Sequence, residues 1–253
     1  MDLSAYRNSE PEKRRVASLM EMLPGELTSA LDIGARDGFL SRLLADRVPA
    51  VTALDLEKPR IEDARITCVQ GDATALALPD ASVDLILCAE VLEHIPPTVL
   101  AKTCAEMARV SRHYILVGVP YRQDTRAGRT TCLKCGARNP PYGHVNVFDE
   151  RRLGELFGNY RVARTAYVDK TKKRTNFVST LLMDLAGNPY GTYSQEEPCV
   201  ACGAKLVPPP ARGLLQRMLT KGAILLDAAR AALIKERPNW IHVLFEKQRG
   251  GSQ

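Results

Sequence analysis

A strand–turn–helix segment, LDIGARDGFLSRLLA at residues 31–45, constrains the fold of this chain most strongly. Its apolar start is typical of a buried strand, and the apolar residues after the turn recur with helical spacing. The turn contains Gly34 and Gly38, and residues without a side chain let a ligand approach the backbone closely. Asp32 lies at the end of the strand, where a carboxylate can meet a polar ligand. The segment therefore predicts an α/β fold that binds a polar ligand across this turn.

Acidic residues recur where the next three predicted strands end. VTALD ends at Asp55, ITCVQGDA ends at Asp72 and Ala73, and VDLILCAEVLEHIP passes from a strand into a loop that contains Glu90. The carboxyl ends of parallel strands meet at one edge of an open α/β sheet, and ligands bind at that edge. We therefore expect these side chains to form one site together with the first turn.

This ordered series resembles the class I S-adenosylmethionine-dependent methyltransferases, in particular the small-molecule, methyltransferase type 11-like branch. That branch has a D-x-G-x-G-x-G first motif and a V-L-E-H-type loop, which correspond here to DIGARDG and VLEH. The resemblance covers roughly residues 25–165. It implies an enzyme with a Rossmann-like, seven-stranded, mostly parallel sheet, with helices on both faces and an antiparallel last strand.

The resemblance also implies which residues bind the methyl donor, S-adenosylmethionine. The first motif would hold the methionine part, Asp55 would accept the ribose hydroxyls, and Asp72 would contact the adenine amino group. The strand end at Cys88–Glu90 would lie beside the methyl group. The expected cofactor-binding residues are Asp32, Gly34, Ala35, Arg36, Gly38, Asp55, Leu56, Asp72, Ala73, Ala89 and Glu90. Because Arg36 stands where the family usually has the middle glycine, we expect an altered loop geometry with binding retained.

The alternative is a Rossmann-like domain for a nicotinamide cofactor, or a cofactor fold that binds nothing. A dinucleotide motif needs G-x-G-x-x-G directly after the strand, so that the pyrophosphate lies at the helix N-terminus. Here the glycine spacing is G-x-x-x-G, and Asp32 would place a negative charge beside that pyrophosphate. A sulfonium cation tolerates this carboxylate, and the whole series therefore favours the methyltransferase interpretation.

Composition and charge narrow the function classes further. The 253 residues are 45% apolar and 25% charged, which predicts one large domain or one domain with a sizeable insertion. No apolar run follows the early basic residues, so we expect no signal peptide, no transmembrane segment and a cytoplasmic location. The net charge is +6, with a basic run, DKTKKRTNF, at residues 169–177. This run predicts a solvated loop or a site for an acidic substrate, and the lack of interleaved aromatic residues disfavours nucleic acid.

The rhythm of predicted strands and helices divides the chain into three regions. Residues 1–120 contain an N-terminal helix and the cofactor-binding core with strands one to five. Residues 121–210 form an acceptor-side region with a helix, strand six and two irregular segments, of which 170–210 is one. Residues 211–253 contain a long helix and the final strand, which complete the core. The apolar stripe of the long helix predicts core packing, and its basic neighbours leave a membrane-surface helix as the alternative.

The seven cysteines fall into two groups. Three are isolated and are expected to pack as small apolar residues. The other four form two C-x-x-C-G motifs and are the expected ligands of a structural zinc ion: Cys132, Cys135, Cys199 and Cys202. Two disulfides or a redox pair are the alternatives. A cytoplasmic chain disfavours the disulfides, and neither motif starts a helix after a strand as thioredoxin-like redox pairs do. Four thiolates leave no open position for substrate, so the predicted Zn²⁺ clips the insertions together and takes no part in catalysis.

Acid–base candidates lie near the predicted acceptor side. His144 in YGHVNVFD and Glu90 are the candidate catalytic residues, and His144 is equally consistent with a structural, backbone-bonded histidine. We expect methyl transfer to a small molecule, such as a hydroxyl of a sugar, a secondary metabolite or a lipid-linked glycan. Two alternatives stay open, namely an RNA- or DNA-modifying methyltransferase that grips nucleic acid with the zinc module, and a non-catalytic binding module. The NPPY sequence at residues 139–142 lies away from strand four and is interpreted as a turn.

Overall fold

The computed structural model describes residues 4–248, which form two compact units. Within that range the sheet unit comprises residues 4–121, Phe148–Asp169 and 238–248, and the cysteine unit comprises Arg122–Val147 and Lys170–Arg237. The strands are β1 (Ser29–Ile33), β2 (Ala50–Asp55), β3 (Ile66–Gln70), β4 (Val83–Ala89), β5 (Ser111–Pro120), β6 (Thr130–Thr131), β7 (Arg138–Asn139), β8 (Tyr160–Thr171) and β9 (Arg237–Lys247). The helices are α1 (Ser4–Arg7), α2 (Glu10–Glu21), α3 (Phe39–Ala45), α4 (Pro97–Val110), α5 (Glu150–Gly154), α6 (Phe177–Leu185) and α7 (Leu214–Leu233).

The sheet unit is built on a seven-stranded sheet in the order β3–β2–β1–β4–β5–β9–β8. β1 pairs in parallel with β2 and β4, and β3 and β5 extend the parallel part on either side. β9 is antiparallel to β5, with Val243 opposite Val117. The predicted mostly parallel sheet with an antiparallel last strand is confirmed.

Apolar side chains cover both faces of this sheet. Consecutive strand residues point to opposite faces, and accordingly Leu31 and Ile86 belong to one buried cluster while Ala30 and Leu85 belong to another. Helices α4 and α5 contribute to the first cluster, and α2 and α3 contribute to the second. Every residue of β4 is buried, which explains its apolar sequence from Leu85 to Ala89. The helices on both faces are as predicted, and residues 56–65 form no helix between β2 and β3, because they are too few for a helical crossover.

The cysteine unit contains a short hairpin and a pair of packed helices. β6 and β7 pair antiparallel, and α6 packs against α7. The two helices are close at Gly222 of α7, where an added Cβ would lie in ordinary van der Waals contact, 3.6 Å from Leu182 Cδ1. No helix within residues 4–248 combines the length and the apolar character needed to cross a bilayer.

The prediction of irregular structure over residues 170–210 is wrong at α6. Its first turn carries a capping box: Ser179 N–H donates to Asn176 Oδ1 at 2.9 Å, and Asn176 N–H donates to Ser179 Oγ at 3.0 Å. Such reciprocal bonds satisfy amides that the start of a helix leaves open. The N-x-x-S sequence before an apolar run was therefore a usable indication of this helix.

The unit boundaries also differ from the predicted regions. The α5–β8 segment belongs to the sheet unit, because β8 forms the edge strand beside β9. Helix α7 belongs to the cysteine unit, because it packs against α6 and does not complete the core sheet.

The predicted core packing of the apolar stripe of α7 is wrong as well. Thr220 and Ala223 are its buried residues, whereas Leu214, Met218 and Leu225 on the opposite face are more than half exposed. The inward face of this helix is thus small and polar, and its outward face is apolar. In most surface helices the apolar face is buried and the polar face is exposed, so α7 has the reverse arrangement. An exposed apolar face of this kind calls for a functional explanation.

Candidate functional site

The first turn, between β1 and α3, depends on two glycines in the left-handed region. Gly34 has φ 78° and Gly38 has φ 73°. A Cβ at Gly34 would lie 2.4 Å from Val91 Cγ2, and a Cβ at Gly38 would lie 2.3 Å from Ile61 Cδ1. The two glycines are therefore required by backbone conformation and by close packing against these side chains. Their neighbour Ala35 is buried and donates its N–H to Leu54 O at 3.1 Å.

Arg36 joins the first turn to the end of β2. It adopts φ 45°, the left-handed conformation that the glycine of the family motif would take without strain. Its backbone N–H donates to Asp55 Oδ2 at 2.8 Å. Gly34 N–H donates to Leu54 O at 2.8 Å, so two successive strand ends are held side by side. We expected Arg36 to alter the loop. Instead, Arg36 adopts the backbone conformation that glycine would have in this turn.

Asp32 is placed differently from the expectation that it meets a ligand directly. Its side chain is 1% exposed, and Ser41 Oγ donates to Asp32 Oδ2 at 2.6 Å. Burial raises the pKa of this carboxyl to about 7, against the opposing effect of the Ser41 hydrogen bond. Asp32 therefore links α3 to β1 and supports the turn between them from the buried side.

The ends of β2 and β3 expose two other expected residues, Leu56 and Asp72, to solvent. Leu56 is 69% exposed and follows Asp55 directly. Asp72 Oδ1 accepts the backbone N–H of Thr74 at 2.8 Å, and this bond lowers the pKa of the Asp72 carboxyl. Ala73 is buried beside it. An ionised carboxylate and a small residue thus end β3 in a tight turn.

The end of β4 carries a buried, incompletely bonded carboxyl group. Ala89 is buried, and Glu90 adopts φ 58° with its N–H donating to Gly118 O at 2.8 Å. Trp240 Nε1 donates to Glu90 Oε2 at 3.2 Å, whereas Oε1 has no hydrogen-bond partner among residues 4–248. Burial raises the pKa of Glu90. A buried acceptor without a partner is a place where a ligand donor can bind.

Two charged residues of α2 belong to the same region, and the sequence prediction missed both. Arg15 and Glu12 are at most 2% exposed, and Arg15 Nε donates to Glu12 Oε2 at 2.7 Å. The positive charge of Arg15 lowers the pKa of Glu90, against the larger effect of burial. Arg15 Nη1 is a buried donor that has no partner in the described part of the chain. Charged residues three apart on the apolar face of α2 were the indication of this role.

Glu93, in the VLEH loop, is a second buried carboxyl group. It is 1% exposed, and neither of its carboxyl oxygens has a hydrogen-bond partner within residues 4–248. Burial, together with the nearby charge of Glu90, raises its pKa well above the usual value. The raised pKa favours the protonated form of Glu93 beside Glu90.

The four predicted metal ligands come together in the cysteine unit. Cys132 Sγ lies 3.7 Å from Cys202 Sγ, and Cys135 Sγ lies 3.6 Å from Cys199 Sγ. All four sulfur atoms lie within 4.8 Å of one another. These separations are too long for disulfide bonds and match the edges of a tetrahedral thiolate site. The residues present therefore suit Zn²⁺ in number, chemistry and spacing.

The two knuckles that carry these sulfur atoms have the same backbone geometry. Gly136 N–H donates to Cys132 O and Gly203 N–H donates to Cys199 O, each at 2.9 Å, and both glycines have positive φ. Asn139 is 1% exposed and accepts Val200 N–H at 2.8 Å, which ties one knuckle to the other. Asn139 is the first residue of the NPPY sequence. This sequence therefore helps to link the two knuckles and is not only a turn.

His144 lies in the cysteine unit, and its ring is held in one orientation. It is 7% exposed, and its Nδ1 lies 2.6 Å from Gln123 Oε1. Because the amide oxygen accepts, Nδ1 carries the proton and Nε2 carries the lone pair in the neutral ring. The side chain of Gln123 thus holds the ring by its Nδ1 atom.

Comparisons with known proteins connect the sheet unit to a family. Residues 31–114 match the profile of the family described as Methyltransferase domain. An uncharacterized methyltransferase of Mycobacterium tuberculosis is 35% identical over 89 residues, 32% of this chain and 45% of the relative. A ubiquinone biosynthesis O-methyltransferase of Idiomarina loihiensis is 33% identical over 87 residues, 30% of this chain and 36% of the relative. The chain thus spans less than half the length of these curated relatives.

The fold is also similar to that of a solved methyltransferase. The structure of a Burkholderia thailandensis 1,6-didemethyltoxoflavin-N1-methyltransferase holds 1,6-didemethyltoxoflavin and S-adenosylhomocysteine. It superimposes with a TM-score of 0.55 and 14% identity, covering 97% of this chain and 82% of that one. At that identity the similarity concerns the fold alone.

Proposed function

We propose that the sheet unit of this chain is a class I methyltransferase domain and that the protein transfers a methyl group from S-adenosylmethionine to a small-molecule acceptor. The observation that carries the proposal is the bond between Arg36 N–H and Asp55 Oδ2, which brings the first motif and the second acid into one turn. Asp55 would accept the ribose hydroxyls, and Asp72 with Ala73 would bind the adenine. Leu56 would cover the base.

The buried, unpartnered atoms at the end of β4 suit the amino-acid part of this cofactor. That part carries a carboxylate and an ammonium group, and Arg15 Nη1 and Glu90 Oε1 offer a donor and an acceptor of complementary charge. We assign Arg15 to the carboxylate and Glu90 to the ammonium. Ala89 leaves room beside them for the methyl-bearing end.

For the chemical step, we propose that His144 acts as the base. S-adenosylmethionine supplies a methyl group on a good leaving group, so the protein contributes mainly alignment. His144 takes the proton of the acceptor hydroxyl as the oxygen–methyl bond forms and the sulfur–methyl bond breaks. Gln123 holds the imidazole in the required tautomer. The acceptor is a hydroxyl of a sugar or a secondary metabolite.

Calorimetric titration tests the cofactor assignment. We expect S-adenosylmethionine to bind the wild-type chain and the Asp55→Ala variant to bind at least about tenfold more weakly, because a carboxylate–hydroxyl bond is lost. Asp80→Ala is the matched control, since Asp80 is an exposed acid of the same unit that pairs with Arg109. Absence of binding to the wild type, or equal affinity of both variants, contradicts the proposal.

The base assignment is tested by release of S-adenosylhomocysteine over a panel of sugars and phenols. His144→Ala is expected to lower turnover by about two orders of magnitude or more while leaving the affinity for S-adenosylmethionine unchanged. Full turnover by His144→Ala on any accepted compound shows that the histidine is structural.

We further propose that the four thiolates hold one structural Zn²⁺ ion. Metal binding would close the two knuckles into one body, because its free energy becomes folding free energy. Elemental analysis is expected to find about one zinc per chain, lost in Cys199→Ser and retained in Cys68→Ser. Zinc that persists in Cys199→Ser would place the ion elsewhere.

A lipid-linked glycan is the acceptor class that the outward surface of α6 and α7 favours. The apolar residues of this surface are Phe177, Val178, Leu181, Leu185, Leu214, Leu215, Met218, Leu225 and Leu233, all at least 43% exposed. The exposed cations Arg217 and Lys221 accompany them, whereas Asp184 pairs with Arg129 and Asp227 is turned inward. An apolar and cationic surface without exposed acids is complementary to an anionic lipid surface.

Vesicle co-sedimentation tests this acceptor class. Wild type is expected to bind phosphatidylglycerol vesicles and to bind phosphatidylcholine vesicles weakly, and Leu214→Ser with Leu225→Ser is expected to abolish binding. The matched control is Val162→Ser, an exposed apolar residue of the sheet unit. Unchanged binding by the double variant would leave a soluble sugar or metabolite as the acceptor.

A further inference from the structure

The basic run after β8 borders a cavity that methyl transfer does not use. The cavity has a volume of about 500 Å³ and lies entirely within the cysteine unit. Residues 172–175 form one side, residues 126–129 form another, and α6 and α7 close it. Small-molecule sites have volumes of about 300–1,000 Å³, so this cavity has the size of a ligand site.

Cations dominate the polar lining. Lys172, Lys173 and Arg174 line the cavity, and none of them forms an ion pair with a described residue. Arg126 also lines it and is neutralised by Asp124, which in addition accepts Thr175 N–H at 2.8 Å and so anchors the basic run. Three cations without counter-ions around one cavity indicate a ligand with at least one negative charge.

Two buried polar atoms in the lining have no partner within the described residues. These are Thr180 Oγ1 on α6 and Asp227 Oδ1 on α7. Buried polar atoms are nearly always hydrogen-bonded, so each points to a missing group. A carboxylate oxygen can only accept, and its partner must therefore be a donor such as a hydroxyl.

The rest of the wall is apolar. Met183 of α6 and Ile224, Ala228 and Ala231 of α7 provide it. Short aliphatic side chains beside a hydroxyl acceptor suit the CH face of a sugar ring, whose hydroxyls point to the edge. Anion, hydroxyl and CH groups are thus each matched by a separate part of the wall.

We propose that this cavity binds a sugar phosphate, with the phosphate at Lys172, Lys173 and Arg174 and the sugar hydroxyls at Asp227 and Thr180. The site goes beyond the proposed methyl transfer and does not rest on it. Asp227 is the one carboxylate of the lining, and three unpaired cations outweigh its charge. Its presence discriminates a sugar phosphate from a bare phosphate, because it repels an anion and attracts hydroxyl donors.

Calorimetry with glucose 1-phosphate, inorganic phosphate and glucose tests the site in the full, zinc-loaded chain. Glucose 1-phosphate is expected to bind tightest, and more weakly as the salt concentration rises. The triple variant Lys172→Ala, Lys173→Ala, Arg174→Ala is expected to lose about tenfold or more in affinity. The matched control, Lys134→Ala, Lys205→Ala, Lys235→Ala, removes three exposed cations of the same unit that line neither the cavity nor the apolar surface of α6 and α7.

The substitution Asp227→Asn is expected to change the affinities for two ligands in opposite directions. Its affinity for glucose 1-phosphate is expected to fall, because a hydroxyl loses a charged acceptor. Its affinity for inorganic phosphate is expected to rise, because a negative charge leaves the cavity. A change of the same sign for both compounds contradicts the assignment of Asp227.

The phosphate can belong to a soluble metabolite or to a lipid headgroup, and a second experiment separates these sources. Phosphatidylcholine vesicles with and without a polyprenyl phosphate are sedimented with the chain, and glucose 1-phosphate is added as competitor. Retention by the polyprenyl phosphate that glucose 1-phosphate displaces shows a lipid source for the same site. If no phosphate compound binds, or if both triple variants lose affinity equally, the proposal is overturned. These readouts are independent of S-adenosylmethionine binding.

Discussion

Arg36 occupies the position in the first turn where a side chain is least favourable. At φ 45° an L-residue is strained by roughly 1–2 kcal/mol relative to the right-handed region, whereas glycine is not. The turn nonetheless keeps its hydrogen bond to Asp55, so the strain is held by the surrounding structure.

Replacing Arg36 tests this account. Arg36→Gly is expected to have a free energy of unfolding about 1 kcal/mol higher than Arg36→Ala, because both remove the guanidinium and only one relieves the strain. Urea unfolding of the two variants measures the difference. Equal stability of the two variants would show that the turn relaxes around any side chain.

The raised pKa of Asp32 predicts that stability falls as pH rises, which is the opposite of the usual effect of a carboxyl group. Burial raises its pKa to about 7, above the value of about 3.9 in an unfolded chain. Between these values the folded state holds more protons than the unfolded state, so stability falls as pH rises. We expect wild type to lose stability relative to Asp32→Asn as pH increases from about 4 to about 7, measured by urea unfolding.

Asp84 is the matched control of opposite sign. Hydrogen bonds from Thr28 and Arg112 outweigh burial and lower its pKa to about 2. Wild type should therefore gain stability relative to Asp84→Asn as pH rises from about 2 to about 4. If the stability of wild type relative to Asp32→Asn and relative to Asp84→Asn changed with pH in the same direction, the assigned pKa shifts of these two carboxyl groups would be contradicted.

At the scale of elements, α6 shows how a short polar signature can define a helix. Nine residues are too few for a stable isolated helix, so the capping box and the contact with α7 have to hold it. The sequence prediction weighed the adjacent basic run and overlooked the cap. Helix α7 illustrates a different difficulty, because its apolar stripe was correctly recognised and its outward direction was not.

Removing the cap of α6 should have a defined cost. Asn176→Ala is expected to lower the free energy of unfolding of the cysteine unit by about 1 kcal/mol, because Ser179 N–H loses its acceptor. Denaturant unfolding followed by far-ultraviolet circular dichroism measures it. Asn159→Ala, an exposed asparagine of the sheet unit, should change stability by less than about 0.5 kcal/mol.

At the scale of the whole molecule, the chain consists of two units with different sources of stability. The sheet unit has apolar clusters on both faces of a seven-stranded sheet. The buried cluster at the knuckles of the cysteine unit consists of Cys132, Cys199 and Leu206. A cluster this small relies on additional bonds, and a metal ion is the natural one here.

Metal removal should therefore affect the two units unequally. Chelation is expected to make the cysteine unit sensitive to limited proteolysis, while the sheet unit still binds S-adenosylmethionine. Trp240, the one tryptophan of the chain, lies in the sheet unit beside Glu90, and its fluorescence should stay unchanged. Parallel loss of the fluorescence would show that the units unfold together.

Local sequence patterns were sufficient to predict the sheet, the order of its acidic strand ends and the clustering of four cysteines. These patterns are the apolar periodicity of strands and helices, the glycines where φ is positive, and the paired C-x-x-C-G motifs. The positions of Asp55 and Asp72 at strand ends and the proximity of the cysteines were for that reason predictable.

Three features became apparent only from the three-dimensional contacts: which unit each helix joins, which side of α7 faces outward and which group Asp32 binds. The tertiary structure also brought Arg15 and Trp240 to Glu90, and the basic run to the walls of a cavity. Each of these depends on contacts between residues far apart in the chain. These contacts determine how deeply a side chain is buried and which groups it bonds, and so they set its pKa and its ability to bind a ligand. Because they are not encoded in the neighbouring residues of the chain, no local sequence pattern predicts them.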